Sequence, residues 1–437
     1  MPGVTATVAS SLIEFVDASP SPFHACAEAA ARLEAAGSTE MAEADAWPGG
    51  GRHHIRRGGT LVAWAVPDDG VPATTPFRIV GAHTDSPNLR VKPRPDTGRA
   101  GARQLGVEVY GGPLLNSWLG RDLGLSGGVA IQSEGEGRPI ETRMVRVDRP
   151  LLFVPQLAIH LDREINVNGL KLNPQEHLNP VWGIGPPDEG GFARFLAKEL
   201  GIDDTAVRGW DVMAHDLTPA TLLGPDDELL AAPRLDNLCS AFAAVTAMVG
   251  AGREPGDAPM PIPVIALFDH EEVGSTTAQG AGGPVLATVL ERLVLGRGGT
   301  RDDLHRAVAG SVCVSADMAH ATHPNYAERH DPAHWVTLNG GPVIKTNVSQ
   351  RYATTAATAA VFHEACDRAG VPVQHYVHRN DMPCGSTIGP VTAAELGVAV
   401  VDVGAPMLAM HSARELMGSA DAGWLADALT AFLSPPA

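Results

Sequence analysis

Short, almost wholly apolar runs alternate with longer segments whose apolar residues recur at helical spacing, and this alternation is the first thing the chain offers. FRIVGA (Phe77 to Ala82), PVIALF (Pro263 to Phe268), SVCVSA (Ser311 to Ala316) and VAVVDV (Val398 to Val403) are runs of the first kind. Runs of that length without polar alternation suit strands covered on both faces of a parallel or mixed sheet. Helical patterns cover Asn237 to Val249, Pro284 to Leu295, Arg351 to Ala369 and Asp421 to Phe432. A further Ala-rich helical region spans about Thr5 to Gly37, broken at SPSPF, with Gly37 as its C-terminal cap. Such alternation predicts an α/β layer fold.

The middle of the chain reads differently. From about Val91 to Leu230, segments such as VEVYGG, GGVAIQ and TRMVRVD carry β-formers between Gly-rich turns. A stretch rich in Asn, Pro and Gly (Asn166 to Gly191) precedes a helical pattern from Phe192 to Leu200. The expectation is a β-rich domain over 91–230, inserted into an α/β domain made of 1–90 and 231–437. The HHIRR cluster, His53 to Arg57, reads as a solvated strand edge.

Composition narrows the class. With 437 residues, 44% hydrophobic, the chain predicts about two domains. It has no unbroken apolar run of about 18 residues and no signal-like N-terminus, so no membrane partner is expected. A formal charge of -18 argues against nucleic acid. Five scattered cysteines, Cys26, Cys239, Cys313, Cys366 and Cys384, include no CxxC pair. They read as small buried hydrophobes in a cytoplasmic protein.

The chemistry sits just after the buried runs. FRIVGA leads into His83-Thr84-Asp85, PVIALF into Asp269-His270-Glu271-Glu272, SVCVSA into Asp317, and VAVVDVGAPMLAM into His411. Asp236, in APRLDNL, opens a predicted helix. Ligands of open α/β sheets bind beyond the carboxyl ends of the strands, so these groups are expected at one edge. Two His with several carboxylates and no Cys suit zinc or a similar divalent ion. Adjacent Glu271 and Glu272 can divide the work, one binding metal and the other moving protons, and Asp85 can orient His83. Gly274 occupies the place of the second His of HExxH, which excludes the single-zinc helical motif.

Longer motifs carry a resemblance. AHTDSPNLRVKP, LAIHLDR, APRLDNL, DHEEVGS, SADMAHATHPNY, GPVIKTNVSQRYAT, NDMPCGSTIGP and MHSARE occur in order over nearly the whole chain, which resembles the aspartyl aminopeptidases, two-zinc exopeptidases. The resemblance implies a zinc-exopeptidase-like mixed sheet sandwiched by helices, with the β-rich insert making dimer contacts. It implies a hydrolase, a metallo-aminopeptidase that releases single N-terminal residues, preferring Asp or Glu, from short peptides. Two Zn2+ per subunit are implied, with Co2+ or Mn2+ as substitutes. One ion would take His83, Asp236 and Asp317, and the other Asp236, Glu272 and His411. Glu271 resembles the general base, and Asp85 the residue that orients His83. Lys345, His320, Tyr352 and Met382 resemble substrate contacts, and His160 a histidine offered to a neighbouring subunit's active site. A homododecamer built from dimers is implied. The alternatives are an N-acyl amino acid deacylase with paired metals, and a self-assembling shell or cargo protein of minor activity.

Overall fold

The structure is a computed structural model that describes residues 2–67, 70–132, 139–251 and 260–435. It divides into two compact units. The first comprises Met1–Asp85, Ala220–Met410 and Glu415–Ala437, and the second Ser86–Pro219 with His411–Arg414.

All four apolar runs are strands of one nine-stranded mixed sheet in the first unit. Ile262–Phe268, Phe77–His83, Val312–Ala316 and Ala399–Gly404 lie side by side and parallel at its centre. Outside them, Thr60–Val66 and Val343–Thr346 run antiparallel to their inner neighbours. Successive side chains of each strand enter opposite cores, as the pleat requires. Val80 and Ala82 join the helices Pro22–Ala35, Leu235–Gly250 and Asp421–Leu433 on one face. Phe77 and Ile79 join Val285–Gly296 on the other. A fully buried strand therefore shows no polar alternation. A separate five-stranded sheet includes Leu229–Ala232, Pro406–Leu408 and Glu415–Gly418, and the sequence pattern gave no sign of it.

The predicted helices form, with one shift. Gly37, at φ 90°, closes Pro22–Ala35, where Ser38 N donates to Leu33 O and Gly37 N to Glu34 O. The helix expected from Arg351 begins at Ala356, because Thr355 and Thr358 exchange side-chain to backbone hydrogen bonds in a capping box. Four cysteines are buried, as expected, and Cys384 is half-exposed. His54 departs from the solvated edge expected of HHIRR, because it is completely buried.

The second unit is a six-stranded antiparallel sheet in the order Ile140–Leu152, Leu123–Gln132, Val207–Asp216, Asn88–Arg99, Ala102–Tyr110, Val181–Ile184. The helix Gly191–Leu200 sets Phe192 and Leu196 into the apolar face that Leu105, Val107, Val129 and Val212 supply. At Gly127 (φ 151°) a Cβ would lie 2.0 Å from Asp211 O, so only glycine permits this strand approach. Among the described residues no helix is long and apolar enough to cross a membrane.

Candidate active site

Three of the central parallel strands deliver their acidic and imidazole groups to one edge. His83 ends its strand opposite Phe268, and the next residues on that neighbour are Asp269 to Glu272. Asp317 follows Val312–Ala316 and donates its N–H to Val403 O at 2.9 Å. Asp236 comes from above this edge, in the first turn of Leu235–Gly250, where the helix is not yet regular. Two non-glycine residues beside the site hold left-handed backbone, Arg234 at φ 58° and His270 at φ 66°. Such residues cost about 1–3 kcal/mol unless the surroundings hold them. Here Arg234 donates to Ser19 O at 3.1 Å, and His270 N to Asp269 Oδ1 at 2.8 Å.

The carboxylates converge on a single ring nitrogen. His83 Nε2 lies 3.4 Å from Asp236 Oδ1, 3.6 Å from Asp317 Oδ1 and 3.9 Å from Glu271 Oε2. The other nitrogen, Nδ1, lies 3.0 Å from Asp85 O and 3.4 Å from Asp85 Oδ1. Asp85 does more than face the ring, as its two carboxylate oxygens accept the backbone N–H groups of Glu271 and Glu272, each at 3.1 Å. One buried carboxylate thus aligns the imidazole and fixes the turn that presents the glutamate pair. Glu415 secures the opposite side by accepting Asp236 N at 3.0 Å, and Asn237 Nδ2 donates to Ala316 O at 2.8 Å.

Such crowding is electrostatically costly without a cation. Burial alone would lower the His83 pKa, but Glu271, Asp236, Asp317 and Asp85 outweigh it and hold the ring well above its ordinary value. Glu271 is pushed up to about 8 by burial, opposed by His83 and reinforced by the neighbouring carboxylates. Its side chain remains 15% exposed while Asp85 is sealed, so of the two only Glu271 is open to an incoming molecule. Donor atoms of His83, Asp236 and Asp317 lie within 4.8 Å of one another, as do those of His83, Glu271 and Glu272. Imidazole and carboxylate donors at this spacing fit a divalent ion of the zinc class.

Lys345 is buried rather than a surface cation. Its Nζ donates to Asp317 O at 2.7 Å and Met318 O at 3.2 Å, and stands 5.2 Å from the Tyr352 ring centre. Tyr352 and His320 both pack edge-on against Tyr376, which pairs with Lys345 across the sheet. Met382 lies half-buried in a loop, its N–H donating to Arg379 O. His160 and His411 belong to the second unit. His160 is exposed in the short turn Ile159–Leu161, and His411 adopts φ 67° with Nδ1 2.9 Å from Gly112 O. Tyr376, Asn237 and Glu415 were not singled out from the sequence. Asn237 lies in APRLDNL and Glu415 ends MHSARE, and those motifs were their only signals.

Comparison with known proteins agrees with this chemistry. The family described as "Aminopeptidase I zinc metalloprotease (M18)" matches residues 15–433. A "Probable M18 family aminopeptidase 2" of Streptomyces coelicolor is 55% identical over 426 residues, 97% of each chain. The solved structure "Cryo-EM structure of the Ape4 and Nbr1 complex" is similar at TM-score 0.93 and 35% identity, over 99% of this chain and 86% of that one. "Structure of S. cerevesiae mApe1 dodecamer" is similar at TM-score 0.84 and 27% identity, over 97% and 96%. A parallel-sheet edge bearing a buried histidine among carboxylates and a family match over nearly the full length lead to one conclusion: the chain belongs to the M18 family of zinc aminopeptidases.

Proposed function

We propose that this chain releases single N-terminal residues, Asp and Glu before others, from short peptides, using two zinc ions per subunit. The observation that carries the reading is the convergence of Asp236, Asp317 and Glu271 on His83 Nε2 at the carboxyl edge of the parallel strands. His83, Asp236 and Asp317 would hold one ion. Asp236, Glu272 and His411 would hold the other, a set that rests on the motif resemblance. Zinc, when bound, supplies Lewis acidity that polarises the scissile carbonyl and acidifies water.

The remaining chemistry belongs to the chain's own groups. Glu271 takes the proton of the attacking water and hands it to the leaving amine. Its partial exposure and crowded position support that role. Asp85 acts through others, holding both His83 and the Glu271–Glu272 backbone. Lys345 brings a cation beside Asp317 and favours an acidic side chain on the substrate's first residue. Tyr352, His320 and Met382 line that region. His160 serves a neighbouring subunit in a homododecamer of cytoplasmic dimers. Exposed Leu161, Val167 and Ile184, at 74%, 86% and 87%, support burial of that surface in an assembly.

A panel of aminoacyl anilides, run with metal analysis, tests the reading. Chelation should abolish turnover, and zinc, cobalt or manganese should restore it. Asp and Glu anilides should turn over fastest, with N-acetyl amino acids inert. Hydrolysis of N-acetyl amino acids alone would replace this reading with a deacylase.

A further inference from the structure

A second histidine–carboxylate cluster lies in the first unit, built from elements the catalytic chemistry does not use. The two-residue strand Thr39–Glu40 runs parallel to Gly51–Arg57, with Glu40 in register with His54. Glu34 comes from the last turn of Pro22–Ala35. Donor atoms of Glu34, Glu40 and His54 lie within 4.8 Å of one another. His54 is completely buried, and its Nε2 has no hydrogen-bond partner. That nitrogen faces Glu34 Oε1 at 3.6 Å, beyond hydrogen-bond reach.

A buried imidazole nitrogen without a partner is costly, and the surroundings sharpen the cost. Glu34 sits at a helix C-terminus, where the backbone dipole already concentrates negative potential. Arg56 is the neighbouring cation, and it is engaged with Glu40 at 2.9 and 2.6 Å. Ser38 Oγ lies 3.0 Å from His54 Nδ1. With Nδ1 carrying the ring proton toward Ser38, the Nε2 lone pair faces a carboxylate, and an ion between them answers both.

We propose that Glu34, Glu40 and His54 form an auxiliary site for one divalent transition-metal ion, zinc foremost, apart from the catalytic centre. Tetrahedral zinc with bonds of about 2.0–2.2 Å separates its donors by about 3.3 Å, close to the observed His54–Glu34 spacing. Glu40 shares its carboxylate between Arg56 and the ion, and water completes the set. The glutamate side chains are 50% and 38% exposed, which leaves them free to draw in around an arriving ion. The ion would tie the helix end to the edge of the sheet. Its role is structural, so turnover does not depend on it.

The test is zinc titration of the holoenzyme, with its active-site metal retained, in wild-type, Glu34→Gln and His54→Gln forms. Glu34 is half-exposed, so Glu34→Gln folds even where His54→Gln does not. Wild type should bind one more zinc per chain than Glu34→Gln, with affinity at least 10-fold higher. Added zinc should raise the wild-type melting temperature and leave that of Glu34→Gln unmoved, with anilide turnover equal in both. Identical zinc stoichiometry and affinity in wild type and Glu34→Gln would overturn the site, as would wild-type binding seen only at millimolar zinc.

Discussion

The two units bury charge to different extents. The nine-stranded unit buries His83, Asp85, Asp236, Asp317, Lys345, Asp402, Glu415 and Asp421 within or beside an apolar sheet. The six-stranded unit keeps most of its ion pairs at the surface, such as Arg143–Glu141, Arg149–Glu199 and Arg194–Asp188, over a core of Leu, Val and Phe. Burying charge destabilises a fold unless partners compensate. The first unit bears that cost where it has chemistry to perform, whereas surface pairs contribute little to stability. The contrast therefore locates function by where the protein tolerates unfavourable electrostatics.

The sharpest way to break this comparison is Glu271→Gln. Removing a general base at the buried edge should lower kcat by about 10²–10⁴-fold while the chain keeps its fold and metal. Steady-state kinetics with circular dichroism would check both, and retained turnover would move the base elsewhere. In the second unit the largest effect should come from packing. Phe192→Ala opens the core beneath Gly191–Leu200 and should cost about 3–5 kcal/mol, read from denaturant unfolding of that unit. A loss below about 1 kcal/mol would mean that this unit does not depend on its apolar core.

Lys345→Met sharpens the contrast within the first unit. It keeps the volume and removes the cation, so kcat/KM for Asp and Glu anilides should fall by roughly 10–100-fold relative to Leu anilide, the range for a hydrogen bond to a charged group. Equal losses on all three would leave Lys345 a purely structural residue.

The smallest effects are in pH dependence, and they have opposite signs. Burial pushes Asp421 up to about 7, against the backbone N–H groups of Asn339 and Gly341 that favour its charge. The folded state then holds this proton where the unfolded chain has released it, so the group's contribution to stability falls as pH rises from about 4 to 7. Asp148, in the second unit, is held down at about 2, first by its hydrogen bond with His215 and then by Arg146. Its contribution is present above about pH 4 and lost as pH falls toward 2. Melting temperatures against pH should show a shallower decline from about pH 4 to 7 for Asp421→Asn and a shallower acid decline below about pH 4 for Asp148→Asn. Parallel curves for wild type and both variants would remove the distinction.

Much of this was legible in the chain. The four central parallel strands announced themselves because a strand covered on both faces has few polar positions, although Thr60–Val66, buried along its whole length, was not read from the pattern. The residues that follow Phe77–His83, Ile262–Phe268 and Val312–Ala316 stood out because a strand's carboxyl end has to deliver them somewhere, and the parallel register brings those ends together. The five-stranded sheet was illegible, because its short strands are paired by residues distant in sequence, such as Leu230 with Met417. The start of the last-but-two helix was misplaced by a local effect, the Thr355 capping box, which outweighed the helical pattern before it.

By itself the sequence determined the order of elements, the residue types available for chemistry and the membership of the family, since these depend on local pattern and motif. Tertiary structure alone decided which groups lost their water. Lys345 reads as a substrate contact by resemblance and His54 as part of a solvated strand edge, yet both are buried, and neither spacing nor composition encodes that. Desolvation is set by what distant segments pack over a side chain, and it converts the same histidine or lysine from a solvated surface group into one that must find a cation, a carbonyl or a substrate.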